Sequence, residues 1–126
     1  MLTKGFKALI AEANAVIETI PVKDAIGLVD DPKIQFVDLR EAAEVAKSGT
    51  IKGAVHVPRG FLEFMVDPAS PMHKPELAGG KGLVLFCASG GRSTLAARTL
   101  MDMGLTRVAH VAGGFEAWKA AGGPVA

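Results

Sequence analysis

The chain has 126 residues, of which 49% are apolar and 21% charged, and its 14 basic residues are balanced by 13 acidic ones. This length fits one domain over residues 1–126, and the near-neutral charge gives no electrostatic case for a nucleic-acid or membrane partner. No apolar run approaches the roughly 20 residues that span a bilayer, and the start of the chain does not match a secretory signal, so we expect a cytoplasmic protein. The single cysteine excludes an intrachain disulfide, so any sulfur exchange must involve a second molecule.

The first segment, residues 1–19, is predicted to be an amphipathic helix. Its apolar residues share one stripe at 3.6 residues per turn, and they are Phe6, Leu9, Ile10, Ala13 and Ile17. We expect this stripe to cover one face of the chain's own domain, whose core is predicted over residues 20–126. A contact with a partner or a second copy is the alternative.

From Pro21 onward, short apolar runs alternate with helical segments. Strands are predicted at 34–39, 54–57, 83–86 and 108–111. Helices are predicted at 41–47, 61–66, 92–103 and 115–121, with a loop-rich stretch at 67–82 that has a helical turn at 74–78. The alternation indicates an α/β fold with a mostly parallel sheet, in which ligands bind beyond the carboxyl ends of the strands.

The segment that carries chemistry follows the apolar run at 83–86. Its residues are Cys87, Ala88, Ser89, Gly90, Gly91, Arg92 and Ser93. A short loop of small residues can turn successive backbone N–H groups inward as an anion nest, and the following helix and Arg92 add positive charge. We expect this cradle to favour the Cys87 thiolate, to attract an anionic sulfur donor and to stabilise a persulfide anion. The alternative is an inert buried thiol.

Several other polar residues could border this loop. Asp38 and Arg40 lie at the end of a predicted strand, where we favour a structural ion pair or helix cap that affects the loop only indirectly. Arg59 is a candidate rim cation for anionic donors, with a solvated arginine as the alternative. Ser89 and Ser93 could donate hydrogen bonds to the bound sulfur or cap the helix, and capping is favoured for Ser93.

The three histidines, His56, His73 and His110, are dispersed without metal-ligand spacing. We therefore expect no metal site, and none of the three is placed as a general base. The Gly113–Gly114 pair opens the last predicted helix after a strand. We expect this turn to pack closely beside the Cys87 loop.

The segment from Cys87 to Arg92 resembles the active-site loop of rhodanese domains. Three more segments resemble the family's motifs in the family's order, at 37–41 (VDLRE), 49–58 (GTIKGAVHVP) and 113–118 (GGFEAW). The resemblance covers the chain from about residue 20 onward and implies a three-layer sandwich, with helices on both faces of a five-stranded parallel sheet. It also implies a cofactor-free transfer of sulfur from a donor such as thiosulfate to Cys87, and then to cyanide or a thiol.

The resemblance leaves rival functions open. Cys-dependent phosphatases also use a Cys–loop–Arg cradle, but related phosphatase loops have one residue more than the four between Cys87 and Arg92, and arsenate reduction is a more remote alternative. Asp67 is the only candidate acid for a phosphate leaving group, and nothing singles it out. A dedicated persulfide carrier would use the same residues and differ in its acceptor, which could be a protein, whereas non-catalytic modules of the family usually lack the cysteine.

Overall fold

The computed structural model describes all 126 residues and has a five-stranded, all-parallel sheet at its centre. The strands are β1 (Glu18–Ile20), β2 (Ile34–Asp38), β3 (Val55–His56), β4 (Gly82–Phe86) and β5 (Val108–Val111). They are ordered β1-β5-β4-β2-β3. The expected α/β fold with a parallel sheet is thereby confirmed. β4 is the middle strand and is buried along its whole length, as its continuous apolar run predicts.

Helices cover both faces of this sheet. They are α1 (Phe6–Asn14), α2 (Val22–Ile26), α3 (Ala42–Ser48), α4 (Leu62–Val66), α5 (Gly91–Asp102) and α6 (Gly114–Ala120). Short 3₁₀ turns lie at Arg59–Phe61 and Pro75–Leu77. None of the helices is both long and apolar enough to cross a membrane.

Successive residues of β4 point into two separate hydrophobic clusters, because side chains alternate across a strand. Leu85 packs in the cluster that contains residues of α4 and α5. Phe86 packs in the opposite cluster, with Phe115 and Trp118 of α6. The sheet therefore has a core on each face, and only the strand ends are left for a site.

The first 19 residues do not form the single helix that their stripe predicts. α1 ends at Asn14, and Glu18–Ile20 instead forms the edge strand β1, which pairs in parallel with β5. The β-branched residues that precede Pro21 explain the difference, since they favour an extended chain. α1 packs against α5 and buries Ala13, but Phe6 is 70% exposed, so the stripe covers the domain only in part.

The carboxyl ends of β2 and β4 lie side by side, and the Cys87 loop begins at this edge of the sheet. Asp38 and Phe86 are partners in the sheet register, and the Leu39 N–H donates to the Phe86 carbonyl at 2.9 Å. The chain leaving β4 thus enters the Cys87 loop next to the Asp38–Arg40 segment. This is the edge of a parallel sheet at which ligands bind.

Candidate active site

Cys87 is the first residue after β4 and is only 1% exposed. The backbone N–H of Gly90 donates to its Sγ at 3.2 Å, and Sγ lies 3.7 Å from the Ser93 hydroxyl oxygen. This closure needs a glycine, since Gly90 has a φ of 117°. The loop therefore curls back onto the sulfur and supplies a backbone donor, which suits a negatively charged sulfur.

The carbonyl of Gly90 anchors the start of α5. It accepts hydrogen bonds from the Thr94 backbone N–H (3.0 Å), the Thr94 hydroxyl (2.7 Å) and the Ser93 hydroxyl (3.2 Å). Gly90 is the N-cap of α5, and no side chain caps that helix. The expectation that Ser93 caps it is therefore wrong. Ser93 is instead fully buried behind Cys87.

The first turn of α6 holds the other side of the Cys87 loop. The backbone N–H groups of Phe115 and Glu116 donate to the carbonyls of Cys87 (2.8 Å) and Ala88 (3.0 Å). Gly114 has a φ of 63°, and a Cβ there would lie 2.5 Å from the Cys87 carbonyl oxygen. The expected close packing of the Gly113–Gly114 turn beside the loop is confirmed, and it leaves no room for a side chain.

Arg92 binds Glu44 of α3 through two parallel hydrogen bonds, from Nη1 to Oε1 at 2.8 Å and from Nη2 to Oε2 at 3.0 Å. The hydrogen bond from Arg92 lowers the pKa of Glu44 from 4.5 to about 2. The same bond is the main cause of the raised pKa of Arg92, to which the neighbouring Cys87 adds. The Arg92 side chain thus ties the Cys87 loop to α3.

Asp38 and Arg40 form a buried ion pair, in which Arg40 Nη2 lies 2.8 Å from Asp38 Oδ2. The guanidinium also donates to the Ser48 hydroxyl (2.9 Å) and the Gly49 carbonyl (2.6 Å). Its Cζ lies 4.3 Å from the centre of the Phe115 ring. The pair therefore braces the end of α3 and the α6 turn that holds the loop.

A family model, the rhodanese-like domain, matches residues 21–121 of the chain. The chain belongs to the rhodanese-like domain family. A sulfurtransferase from Allochromatium vinosum is 33% identical over 98 residues, which cover 78% of this chain and 83% of that protein. Two solved structures are also similar. One, from Rhodopseudomonas palustris, is described as a protein of unknown function and possible tyrosine phosphatase, with 46% identity, a TM-score of 0.95, and coverage of 100% of this chain and 97% of that one.

The other similar structure is the polysulfide-sulfur transferase homodimer from Wolinella succinogenes. It has 30% identity and a TM-score of 0.72, and the match covers 96% of this chain and 86% of that one. The rhodanese resemblance read from four short motifs is thus confirmed over most of the sequence.

Not every predicted site residue of this rhodanese-like chain lies at the loop. Arg59 binds Glu63 at 3.0 Å and the Thr99 hydroxyl at 3.3 Å, and Thr99 lies two turns along α5 from the loop. Ser89 lies on the loop and is exposed. Asp67 accepts a hydrogen bond from the Ala69 N–H and lines a hollow with Met103, beyond the far end of α5. A 12-residue helix is about 18 Å long, so Asp67 is remote from Cys87.

An open cleft of about 400 Å³ adjoins the rhodanese-like loop at Ala88. Its lining residues are Arg40, Glu44, Lys47, Ser48, Ala88, Phe115, Glu116 and Lys119. The side chains of Lys47 and Lys119 come from α3 and α6, and both residues are exposed. The cleft therefore offers an approach to the loop between two helices, each of which contributes one lysine and one glutamate to its lining.

Two residues near the loop were not identified from the sequence, Glu44 and His110. Glu44 accepts a hydrogen bond from the Glu41 N–H at 3.1 Å as part of a capping box, and a Glu three residues after a helix start is a sequence signal for such a box. His110 lies in β5 beside β4, and burial lowers its pKa. Its Nδ1 lies 2.8 Å from the Ser93 oxygen, a contact that spacing along the chain does not reveal.

Proposed function

We propose that this protein is a sulfurtransferase that carries sulfane sulfur as a Cys87 persulfide. The observation that carries the proposal is the Gly90 N–H aimed at Sγ from 3.2 Å, within a loop that leads directly to Arg92. A donor in that place stabilises negative charge on the sulfur before, during and after transfer. Membership of the rhodanese-like family and the sulfurtransferase from A. vinosum support the same chemistry.

The reaction has two half-reactions. In the first, the Cys87 thiolate attacks the outer sulfur of a donor such as thiosulfate, an S–S bond forms on Sγ, and sulfite leaves with the electron pair of the bond that breaks. In the second, cyanide or a thiolate attacks the outer sulfur of the persulfide and takes it away, which restores the Cys87 thiolate. No electron is supplied from outside, and no cofactor takes part.

The surroundings of Cys87 suit the negatively charged species that occur in both half-reactions. Donor, thiolate and persulfide are all anions, the Gly90 N–H points at Sγ, and the charge of Arg92 interacts favourably with a Cys87 thiolate. The cleft beside Ala88 admits a small donor or the end of an acceptor, which could be a small thiol or a protein. Because the loop has no charged side chain before Arg92, we expect weak affinity for thiosulfate.

The first test is thiocyanate formation from thiosulfate and cyanide by the wild type and by Cys87→Ser. We expect turnover in the wild type, saturation well above low micromolar thiosulfate, and complete loss in Cys87→Ser, because a hydroxyl does not form the persulfide. Mass spectrometry of the wild type after thiosulfate alone should show the mass of one added sulfur. A persulfide without thiocyanate would indicate a dedicated carrier, and neither product from reduced protein would overturn the proposal.

The second candidate is a phosphatase, favoured only by the description of the R. palustris protein. Two features weigh against it. Arg92 has two of its nitrogens engaged by Glu44, whereas a phosphate clamp would need them, and the candidate acid Asp67 lies near the other end of α5. Hydrolysis of p-nitrophenyl phosphate by the wild type that is lost in Cys87→Ser would favour this candidate; we expect none.

A further inference from the structure

A chain of hydrogen-bonded polar side chains runs from Cys87 to the edge of the sheet. Cys87 Sγ lies 3.7 Å from Ser93 Oγ, which is 2.8 Å from His110 Nδ1, and His110 Nε2 is 3.0 Å from the Thr19 hydroxyl. Ser93 is fully buried and His110 is 4% exposed, whereas Thr19 is exposed on the edge strand β1. Three elements, α5, β5 and β1, thus contribute one residue each to a chain that starts at the sulfur.

The protons in this chain can be counted. Ser93 has one hydroxyl proton and three neighbouring acceptors, which are the Gly90 carbonyl, His110 Nδ1 and, when Cys87 is a thiolate, its Sγ. Burial lowers the pKa of His110, so at pH 7 and above its ring is uncharged and carries a proton on one nitrogen only. If that nitrogen is Nδ1, it donates to Ser93, and the Ser93 proton is left to the sulfur or to the Gly90 carbonyl, which already accepts two hydrogen bonds from Thr94. If it is Nε2, then Nδ1 competes with the sulfur for the Ser93 proton.

The Thr19 hydroxyl contacts His110 Nε2, and the presence or absence of a proton on Nε2 distinguishes the two tautomers. A hydroxyl can donate or accept, and donation from Thr19 to Nε2 places the ring proton on Nδ1. Around the Cys87 loop, charge is carried by the Arg92–Glu44 pair of α5 and α3 and by the buried Asp38–Arg40 pair that follows β2. On the opposite side, the two residues that continue the chain from Ser93 are His110 of β5 and Thr19 of β1, and both are uncharged at pH 7. A change in this chain therefore alters hydrogen bonding to the sulfur without altering charge.

We propose that His110 is a positioning residue for the reaction at Cys87, whose Nδ1–H holds the Ser93 hydroxyl so that Ser93 donates to the charged sulfur, with Thr19 holding the ring in that tautomer. The inference rests on the proposed function in taking Cys87 as the reacting group. Alkylation of Cys87 by iodoacetamide requires a thiolate but no sulfur donor, so the two proposals can fail separately.

Substituting His110 by Asn or by Gln tests the contacts of its two ring nitrogens separately. The amide nitrogen of Asn reaches about as far from the backbone as Nδ1, whereas that of Gln reaches about as far as Nε2. His110→Asn should therefore keep a donor to Ser93, and His110→Gln should keep only the contact with Thr19. The two variants differ by one methylene and make a matched pair, while His110→Leu removes both contacts.

The experiment measures the rate of iodoacetamide alkylation of the full chain against pH, together with thiocyanate turnover. A hydrogen bond to a charged group is strong enough that Ser93→Ala should slow alkylation at pH 7 about tenfold, and should move the midpoint of the pH curve up by about one unit. We expect the same tenfold slowing of alkylation from His110→Gln and His110→Leu. His110→Asn should alkylate within about twofold of the wild-type rate. Thr19→Val should slow alkylation less than Ser93→Ala does.

A double-mutant cycle separates positioning from a general structural role. If His110 acts through Ser93, His110→Gln adds nothing to the alkylation defect of Ser93→Ala. The proposal would be overturned if His110→Gln slowed alkylation equally in the wild type and in Ser93→Ala. It would also be overturned if a folded His110→Gln alkylated at the wild-type rate. Thermal unfolding of every variant identifies a folding defect. Should the His110 variants fail to fold, an alkylation curve of Thr19→Val that coincides with the wild type would overturn the proposal, because Thr19 is exposed at the sheet edge.

Discussion

Arg40 and Arg92 both follow strands of the central sheet, and each binds a carboxylate through two nitrogens, but their surroundings differ. The Arg40 side chain is 3% exposed and binds Asp38 within its own segment, whereas Arg92 is 37% exposed and reaches across to Glu44. Arg40 stacks on Phe115 beneath the α6 turn, and Arg92 stays beside Cys87. The same chemical pair thus braces the fold where it is buried, and joins the Cys87 loop to α3 where it is partly exposed.

The largest expected effect comes from breaking the buried pair. Asp38→Asn leaves the Arg40 guanidinium buried without a counter-charge, and we expect it to lower the free energy of unfolding by about 3–5 kcal/mol. Urea unfolding of the wild type and the variant measures the difference. The matched control is Asp102→Asn, which breaks the exposed Arg98–Asp102 pair and should cost at most about 1 kcal/mol. Similar losses at the two sites would show that the burial of Asp38 does not matter.

The next effect separates catalysis from stability at Arg92. Arg92→Ala should lower thiosulfate turnover about tenfold, because it removes a positive charge near the reacting anions and leaves the Glu44 carboxylate there without its partner. The free energy of unfolding should fall by no more than about 1 kcal/mol, since the pair with Glu44 is partly exposed. Arg92→Lys retains the charge but not the two-point contact with Glu44, so its turnover should be intermediate. Unchanged turnover in Arg92→Ala would remove Arg92 from the mechanism.

The smallest expected effect is the pH dependence of the Glu44–Arg92 pair. Because the pKa of Glu44 falls from 4.5 to about 2 on folding, the carboxylate stabilises the folded state fully above about pH 4.5. That stabilisation is lost as the pH falls through 2. The difference in unfolding free energy between wild type and Glu44→Gln should be flat from pH 7 to 5, below about 1 kcal/mol because the pair is partly exposed, and smaller at pH 3.

Glu44→Gln is a suitable variant for this comparison, since its amide oxygen can still accept the Glu41 N–H. Added salt should also reduce the difference at pH 7, because exposed charges are screened. A difference that grows as the pH is lowered from 5 to 3 would contradict the assigned ion pair.

Most of the fold was predictable because its signals are local. The apolar run of β4, the alternation of strands and helices, and the glycine-rich turns before α5 and α6 can each be read within a short window of sequence. The edge strand β1 was not predictable in this way. Its β-branched residues favour an extended chain, but the strand is completed by pairing with the distant β5, while the preceding helical stripe extends in pattern through Ile17.

At the site, too, the local features were predictable and the long-range contacts were not. Cys87, the loop of small residues and Arg92 are contiguous, so their chemistry can be read directly from the chain. Glu44 is 48 residues from Arg92, and His110 is 17 residues from Ser93. No periodicity connects such pairs, and both contacts depend on how the ends of neighbouring strands and helices meet.

By itself, the sequence determined that a single cysteine follows a buried strand at the mouth of a small-residue loop, because strand, loop and helix start are local features. The tertiary structure alone decided which groups surround the sulfur. It placed Glu44 on Arg92, the α6 turn on the loop carbonyls, and Ser93 and His110 behind the thiol. These contacts join segments that are distant in the chain, and only the packing of both helical layers on the parallel sheet brings them together.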